Sequence, residues 1–279
     1  MPLVYRNAML HALHPDILQR LHLTSLMLPL RRDIEVPGTE MHQIIFLEDG
    51  VASMTASFED GSQVEIGVMG FESVLCGSSM MGTARSLNRV YMQIAGRGYA
   101  ATVTNARLEF ARHGEFHGLA LRANQAHFLQ TAQTAGCNAR HSVGMRLARW
   151  LLLCADRMES SVIHLPHEHI AAMLGCNRST VTVAAGKLQL DGLIIYSRSK
   201  IRILNRLGLE ARSCECYRTL FDYLADASNF ANILRSEDPF TAPEFRADLS
   251  TFSSKITTFR DPSDEPQSAT LKPGNVNRT

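Results

Sequence analysis

The stretch that most constrains this chain runs from Leu165 to Ile194. Pro166 can begin a helix, because its missing N–H falls among first-turn donors that lack an intrahelical partner in any case. Ile170, Ala171 and Leu174 make one apolar face. Gly175 then supplies the left-handed backbone that a tight turn between helices needs. Asn177 caps a second helix. At 100° per residue Val181, Ala184, Ala185 and Leu188 fall on its inner side, and Ser179, Thr182, Val183 and Gly186 on its outer side. Beyond it, Leu193–Tyr196 and Ile201–Leu204 read as strands of a hairpin around Ser197-Arg198-Ser199-Lys200. A plain helical hairpin in an all-α domain would give the two helices, but not this winged continuation.

These residue types point to a surface that reads duplex DNA. Arg178 stands at the exposed start of the second helix, where it can make a bidentate pair with guanine O6 and N7. Thr182 and Val183 can meet thymine methyls, and Ser179 a base edge or a phosphate. Asn177 and Thr180 share the same first turns. Arg198, Lys200 and Arg202 lie on or near the hairpin tip, where phosphates are the expected partners. Gly186 costs roughly 1 kcal/mol against Ala within a helix, and on the outer face it permits close approach to a DNA backbone.

Charge supports this region alone. Residues 139–212 hold 11 Lys+Arg against 5 Asp+Glu, a net of +6. Residues 1–138 carry a net of −2 and residues 213–279 a net of −3, so the whole chain is +1. A basic block between acidic flanks suits a polyanion partner.

The organisation reads as α+β. Residues 7–22 have helical spacing interrupted by Pro15. Short strands follow: Gln43–Leu47 ending at Glu48-Asp49-Gly50, Val51–Phe58 ending at Glu59-Asp60-Gly61, then Gln63–Val68, Asn88–Ala95 and Tyr99–Thr104. Asp-Gly after an extended run is a hairpin signal, so both Glu-Asp-Gly segments are expected to be turns of a jelly-roll-like β-roll. Residues 105–113 fit a helix capped by Asn105, residues 115–136 a longer one suited to a dimer seam, and residues 139–158 an amphipathic one. From Ser236 the chain is rich in Pro, Ser, Thr and Asp, the composition of disorder. The expected domains are a sensor at 1–113, a dimerisation helix and hinge at 114–138, a winged helix-turn-helix at 139–216, and an extension at 217–279.

Other constellations carry less. His164, His167 and His169 do not form the His-Glu-x-x-His motif, and His167 and His169 cannot share a helix face. Cys214-x-Cys216 has no second cysteine pair near it in sequence. Cys76 reads as a small core residue, with a thiol sensor as the competing reading. Ser78 and Ser79 lack a Gly-x-Ser-x-Gly elbow. No catalytic set and no metal site are expected. No apolar run approaches the ~20 residues of a membrane span and the N-terminus has no signal-peptide pattern, so the expected location is the cytoplasm.

In His141-Ser-Val-Gly-Met-Arg-Leu-Ala-Arg-Trp-Leu-Leu, Leu174-Gly-Cys-Asn-Arg-Ser-Thr-Val-Thr and Leu188-Gln-Leu-Asp-Gly-Leu-Ile the chain resembles the Crp/Fnr family of bacterial regulators, over roughly residues 5–217. The resemblance implies a cyclic-nucleotide-binding-like β-roll, a long dimer helix and a winged helix-turn-helix. It places the family's base-reading Arg on Arg178 and the neighbouring contact on Ser179, while a second family Arg falls on Val183, which changes the half-site expected. It maps the nucleotide cradle onto Gly70-Phe71-Glu72, with an insertion, and onto Arg85-Ser86-Leu87, where Leu87 replaces a small residue. Gly70, Glu72, Arg85 and Ser86 are thus the effector candidates. The family's N-terminal iron–sulfur cysteines have no counterpart, since the first cysteine is Cys76. No cofactor is expected, and a cyclic nucleotide is the alternative to that.

The expected function is sequence-specific regulation of transcription by a homodimer on a palindromic site, with double-stranded DNA and a second copy as partners and RNA polymerase as a further candidate. The competing reading is a small-molecule-binding sensor module whose DNA-binding domain no longer functions. An enzyme is not expected.

Overall fold

The computed structural model describes residues 5–83, 85–158, 162–197 and 199–223. Expectations that fall elsewhere, namely Arg198 and the disordered extension after about residue 236, lie outside the described residues.

Two short helices, α1 (Ala8–Ala12) and α2 (Pro15–Leu21), open the fold. Asn7 caps α1 and Pro15 restarts the chain as α2, as the interrupted pattern suggests. Six strands follow: β1 (Thr24–Leu28), β2 (Asp33–Glu35), β3 (Gln43–Ser57), β4 (Gln63–Met69), β5 (Val74–Leu75) and β6 (Arg89–Thr102). They form one antiparallel sheet in the order β1-β6-β3-β4, with β2 also on β6 and β5 also on β3.

Two expectations are corrected here. Asp49-Gly50 is not a turn, because β3 runs through it and stays paired to β6. The register shifts between Leu47 and Asp49 and again between Asp49 and Val51. Gly50 has φ +89° and a Cβ there would lie 2.8 Å from the Ile94 carbonyl oxygen; a Cβ on Gly96 would lie 1.9 Å from that of Asp49. A left-handed Gly serves an irregular strand as well as a turn, and here it lets two long strands touch. For the same reason Asn88–Ala95 and Tyr99–Thr104 are parts of one strand. Glu59-Asp60-Gly61 is the turn expected, linking β3 to β4.

Helix α3 (Val103–Phe110) starts earlier than expected, with Thr102 rather than Asn105 as its cap: the Thr102 side chain accepts from the Asn105 N–H. Helix α4 (Glu115–Arg140) is longer than expected by about a turn. Its residues Phe116, Ala120, Gln130, Thr134 and Cys137 are buried, and Phe116 and Ala120 join the core made by α1, α2, β3 and α3.

The rest is the winged unit: α5 (Val143–Arg157), β7 (Val162–His164), α6 (His167–Met173), α7 (Arg178–Leu190), β8 (Ile194–Ser197), β9 (Lys200–Ile203) and α8 (Arg206–Arg212). Residues 216–223 are helical. The small sheet runs β7-β9-β8. Leu147, Trp150, Leu151 and Cys154 of α5 pack with Ile170, Val181, Leu188 and Ile201, and the same cluster takes in Val51 and Val68 of the large sheet. The winged unit is therefore docked on the sheet through shared apolar core. Among the described residues no helix is long and apolar enough to cross a membrane.

Candidate nucleic-acid interface

The turn between α6 and α7 is built as its residues dictate. Gly175 has φ +57°, and a Cβ there would press on Val64 at 3.1 Å. Asn177 caps α7 by accepting from the Thr180 N–H at 3.1 Å, and its Oδ1 also takes the Ser179 hydroxyl at 2.9 Å and the Thr180 hydroxyl at 2.6 Å. These bonds occupy the Asn177 oxygen with the cap. Pro166 sits one position earlier than expected, as the residue before the first turn of α6.

Val181, Ala184, Ala185 and Leu188 are buried, as their spacing predicts, while Arg178, Ser179, Thr182, Val183 and Gly186 are exposed and Thr180 is half-buried. Arg178 forms an ion pair with Glu168 on α6 at 2.7 Å, with both side chains more than half exposed. Such a pair is worth about 0–1 kcal/mol, so it parks the guanidinium without holding it from a stronger partner. The Thr182 hydroxyl donates to the Arg178 carbonyl at 3.0 Å and lies 3.0 Å from His167 Nδ1. Its hydroxyl is occupied, which leaves its methyl as the group to offer. A Cβ on Gly186 would meet nothing within 4 Å.

The wing is a hairpin in which Ser197 pairs with Lys200, and Ser199 takes the left-handed conformation at φ 65°. Ile201 is buried, which turns Lys200 and Arg202 outward together. Lys200 stands opposite both Ser197 and His164. Besides the shared core, the Tyr196 N–H donates to Gln189 Oε1 at 2.8 Å, and His167 stacks on Tyr196 with ring centroids 3.9 Å apart. Burial holds the His167 pKa below its ordinary value, helped by the nearby Arg178 charge. A neutral ring can stack there without bringing buried charge into the joint.

Three contributors escaped the sequence reading. His167 is a joint between helix and wing. Lys187 and the first turn of α5 line one groove of about 530 Å³ with Ser179, Thr180 and Val183. Only the spatial neighbourhood of α5 and α7 reveals that groove. The +6 charge of the block also overstates what faces outward, since Arg149 and Arg157 are buried at 6% and 3% exposure.

The four effector candidates separate into two places. Arg85 and Ser86 line a cleft of about 250 Å³ with Glu35, Cys76, Asn124 and His127. Gly70 and Glu72 lie instead at the docking seam. The Glu72 carboxyl takes the Arg157 Nε at 2.8 Å, and a Cβ on Gly70 would lie 2.5 Å from Arg157 Cγ. In the cleft, Ser86 Oγ donates to Glu35 Oε2 at 2.6 Å and the Cys76 N–H donates to Glu35 Oε1 at 2.9 Å. The Ser86 hydroxyl and the Cys76 N–H are thus turned to a buried carboxyl. Burial, and after it Glu35, pushes the Cys76 thiol far above its ordinary pKa, which favours its reading as a core residue.

Comparison with known proteins bears on both halves. Residues 145–212 match the family described as the Crp-like helix-turn-helix domain. The chain is 26% identical over 191 residues to the global nitrogen regulator of Synechocystis sp., covering 64% of this chain and 83% of that one. A protein from Eubacterium rectale assigned to the crp/fnr family of transcriptional regulators superposes with a TM-score of 0.59 at 15% identity, over 75% of this chain and 97% of its own. The c-di-GMP responsive global regulator CLP of Xanthomonas campestris does so with a TM-score of 0.57 at 16% identity, over 68% of this chain and 99% of its own. The last two likenesses are of fold.

Proposed function

We propose that this chain is a transcription regulator of Crp/Fnr type that binds a palindromic operator as a homodimer through α7, a reading supported by its Crp-like helix-turn-helix match over residues 145–212 and its likeness to a global nitrogen regulator. The observation that carries the reading is the outer face of α7. Among the described residues Arg178 is held there by one exposed partner, beside small side chains and an uncovered Gly186. Beside Arg178 that face presents no large side chain to a major groove, and Arg178 can exchange Glu168 for a guanine. Lys200 and Arg202 supply phosphate contacts at the wing, and Lys187 with the first turn of α5 offers another in the groove they share.

Helix α4 supports the dimer. Its inner face is used by the large sheet, but Leu121 and Phe128 stay 43% and 71% exposed, seven residues apart on the opposite side. A stripe at that spacing suits a second copy of the same helix. In this reading residues 1–113 sense, 114–138 pair and 139–216 read DNA, in the cytoplasm where the operator is. The cleft beside Arg85 and Ser86 favours a small effector other than a cyclic nucleotide, because the Glu35 carboxyl occupies the Ser86 hydroxyl and the Cys76 N–H and a carboxylate there opposes a phosphate.

The test is selection of duplexes from a randomised library by the purified chain, followed by sedimentation of the complex. We expect an inverted repeat with half-sites about one helical turn apart, bound by two chains. Enrichment of no sequence at all would favour the sensor module without DNA-reading function.

A further inference from the structure

Two pieces of chain far apart in sequence meet at the C-terminal end of α4. Cys137 lies in its last turns and His141 ends it. Cys214 and Cys216 follow α8 directly. Cys137 Sγ is 3.5 Å from Cys214 Sγ across a separation of 77 residues, and Cys216 Sγ is 3.6 Å from His141 Nδ1. All four donor atoms lie within 4.8 Å of one another. Zinc bonds of about 2.3 Å to sulfur and about 2.0 Å to nitrogen, arranged tetrahedrally, put ligand atoms roughly 3.5–3.8 Å apart. The observed spacing needs only a small contraction.

The surroundings are arranged as for a metal. The three cysteines are buried. Gln133 Nε2 donates to Cys216 Sγ at 3.0 Å. Glu215 Oε1 lies 3.1 Å from His141 Nε2, which leaves Nδ1 as the nitrogen turned to the sulfurs. A carboxylate behind a histidine is the usual outer support of a zinc ligand, fixing its tautomer and orientation.

Close packing of small thiols would account for the cysteines, but not for a histidine whose ring nitrogen faces sulfur while a carboxyl holds the other nitrogen. A disulfide between Cys137 and Cys214 would leave Cys216 and His141 without a use. An iron–sulfur cluster needs donors spread around a body of several atoms, whereas these four converge on a point.

We propose that Cys137, His141, Cys214 and Cys216 bind a single zinc ion. Four protein ligands leave no open position, so the ion is structural. It clamps the end of α4 to the segment that follows the winged unit. The three thiols give up their protons as the ion binds, so affinity falls with acidification. The sequence expectation of no metal site is revised, because the partners of Cys214-x-Cys216 sit before the helix-turn-helix and not near it in sequence.

The test uses the full chain purified under reducing conditions with zinc present. Elemental analysis should find about one zinc per chain, falling below a tenth in Cys214→Ser and Cys216→Ser and unchanged in the control Cys176→Ser. Because the Ser variants could misfold, wild-type protein is also stripped with a chelator and titrated with cobalt(II). Tetrahedral d–d bands and a sulfur-to-cobalt charge-transfer band should saturate at one equivalent. Retention of neither metal by the reduced protein would overturn the proposal. So would iron with the visible absorption of a sulfide cluster, or a Cys137–Cys214 disulfide found by mass spectrometry of the reduced preparation.

Discussion

Arg157 and Arg178 are the same residue type, each paired with a glutamate, and the structure uses them in opposite ways. The Arg157 side chain is 4% exposed, with Nε on Glu72 at 2.8 Å and NH1 donating to the Leu153 carbonyl at 2.9 Å. The Arg178 side chain is 68% exposed, with one pairing to Glu168 that water can replace. The first pair sits at the seam between the large sheet and the winged unit, where removing a partner strands a charge away from water. The second sits on the exposed face of α7, where DNA displaces the partner in the proposed reading. Burial, more than the distance between charges, decides which arginine holds the protein together and which is free to change partners.

The sharpest way to break this contrast is at Glu72. Glu72→Ala should destabilise the fold by about 3–5 kcal/mol, since it leaves Arg157 buried without its carboxyl. Glu168→Ala should cost less than about 1 kcal/mol. Urea unfolding of both variants at one protein concentration checks this, and equal losses would show that burial is not what separates the two pairs.

A second effect of nearly that size belongs to the same seam. Glu65 on β4 is fully buried, and burial raises its pKa from 4.5 to about 7 against the pull of the Ser53 hydroxyl, Arg149 and Arg157. The folded carboxyl therefore keeps its proton between about pH 4.5 and 7 while the unfolded one has lost it. The stabilisation is fully present below the lower value and is lost as the pH rises through the upper one, on the order of 3 kcal/mol in all. Glu65→Gln should remove this slope. Unfolding free energies of the two proteins compared from pH 5 to about pH 8 test it, and a constant difference would mean that Glu65 stays ionised in its site.

Smaller effects are expected on the reading surface, and they concern DNA rather than stability. Arg178→Ala should lower discrimination between operator and scrambled duplex by about 1–3 kcal/mol while leaving the unfolding midpoint nearly unchanged. Equal weakening on both duplexes would remove Arg178 from the major groove. Lys200→Ala is the mildest change. It should weaken both duplexes alike and reduce the salt slope by about one unit, measured by titration at several salt concentrations. A change in sequence preference would show that the wing reads bases.

What was legible in the sequence follows from how far each feature reaches along the chain. The turn at Gly175, the cap at Asn177, the buried stripe Val181, Ala184, Ala185 and Leu188, and the wing around Ser199 each depend on neighbours a few residues away. Backbone sterics, capping and periodicity settle such features locally. The same local signal misled at Asp49-Gly50, because a left-handed glycine suits a turn and an irregular strand equally, and only the pairing of β3 with β6 distinguishes them. Gly70 and Glu72 matched a family turn, but their surroundings are set by Arg157, 85 residues beyond Glu72. Cys214 and Cys216 lacked partners until α4 and the end of the winged unit came together at Cys137 and His141. The helix-turn-helix, its wing and the arginine that leads it could be read directly from the residues, since they rest on short-range geometry. Tertiary structure alone decided which charges are buried, which glutamate faces which arginine, and where four dispersed ligands converge, since those depend on the path of the chain between them.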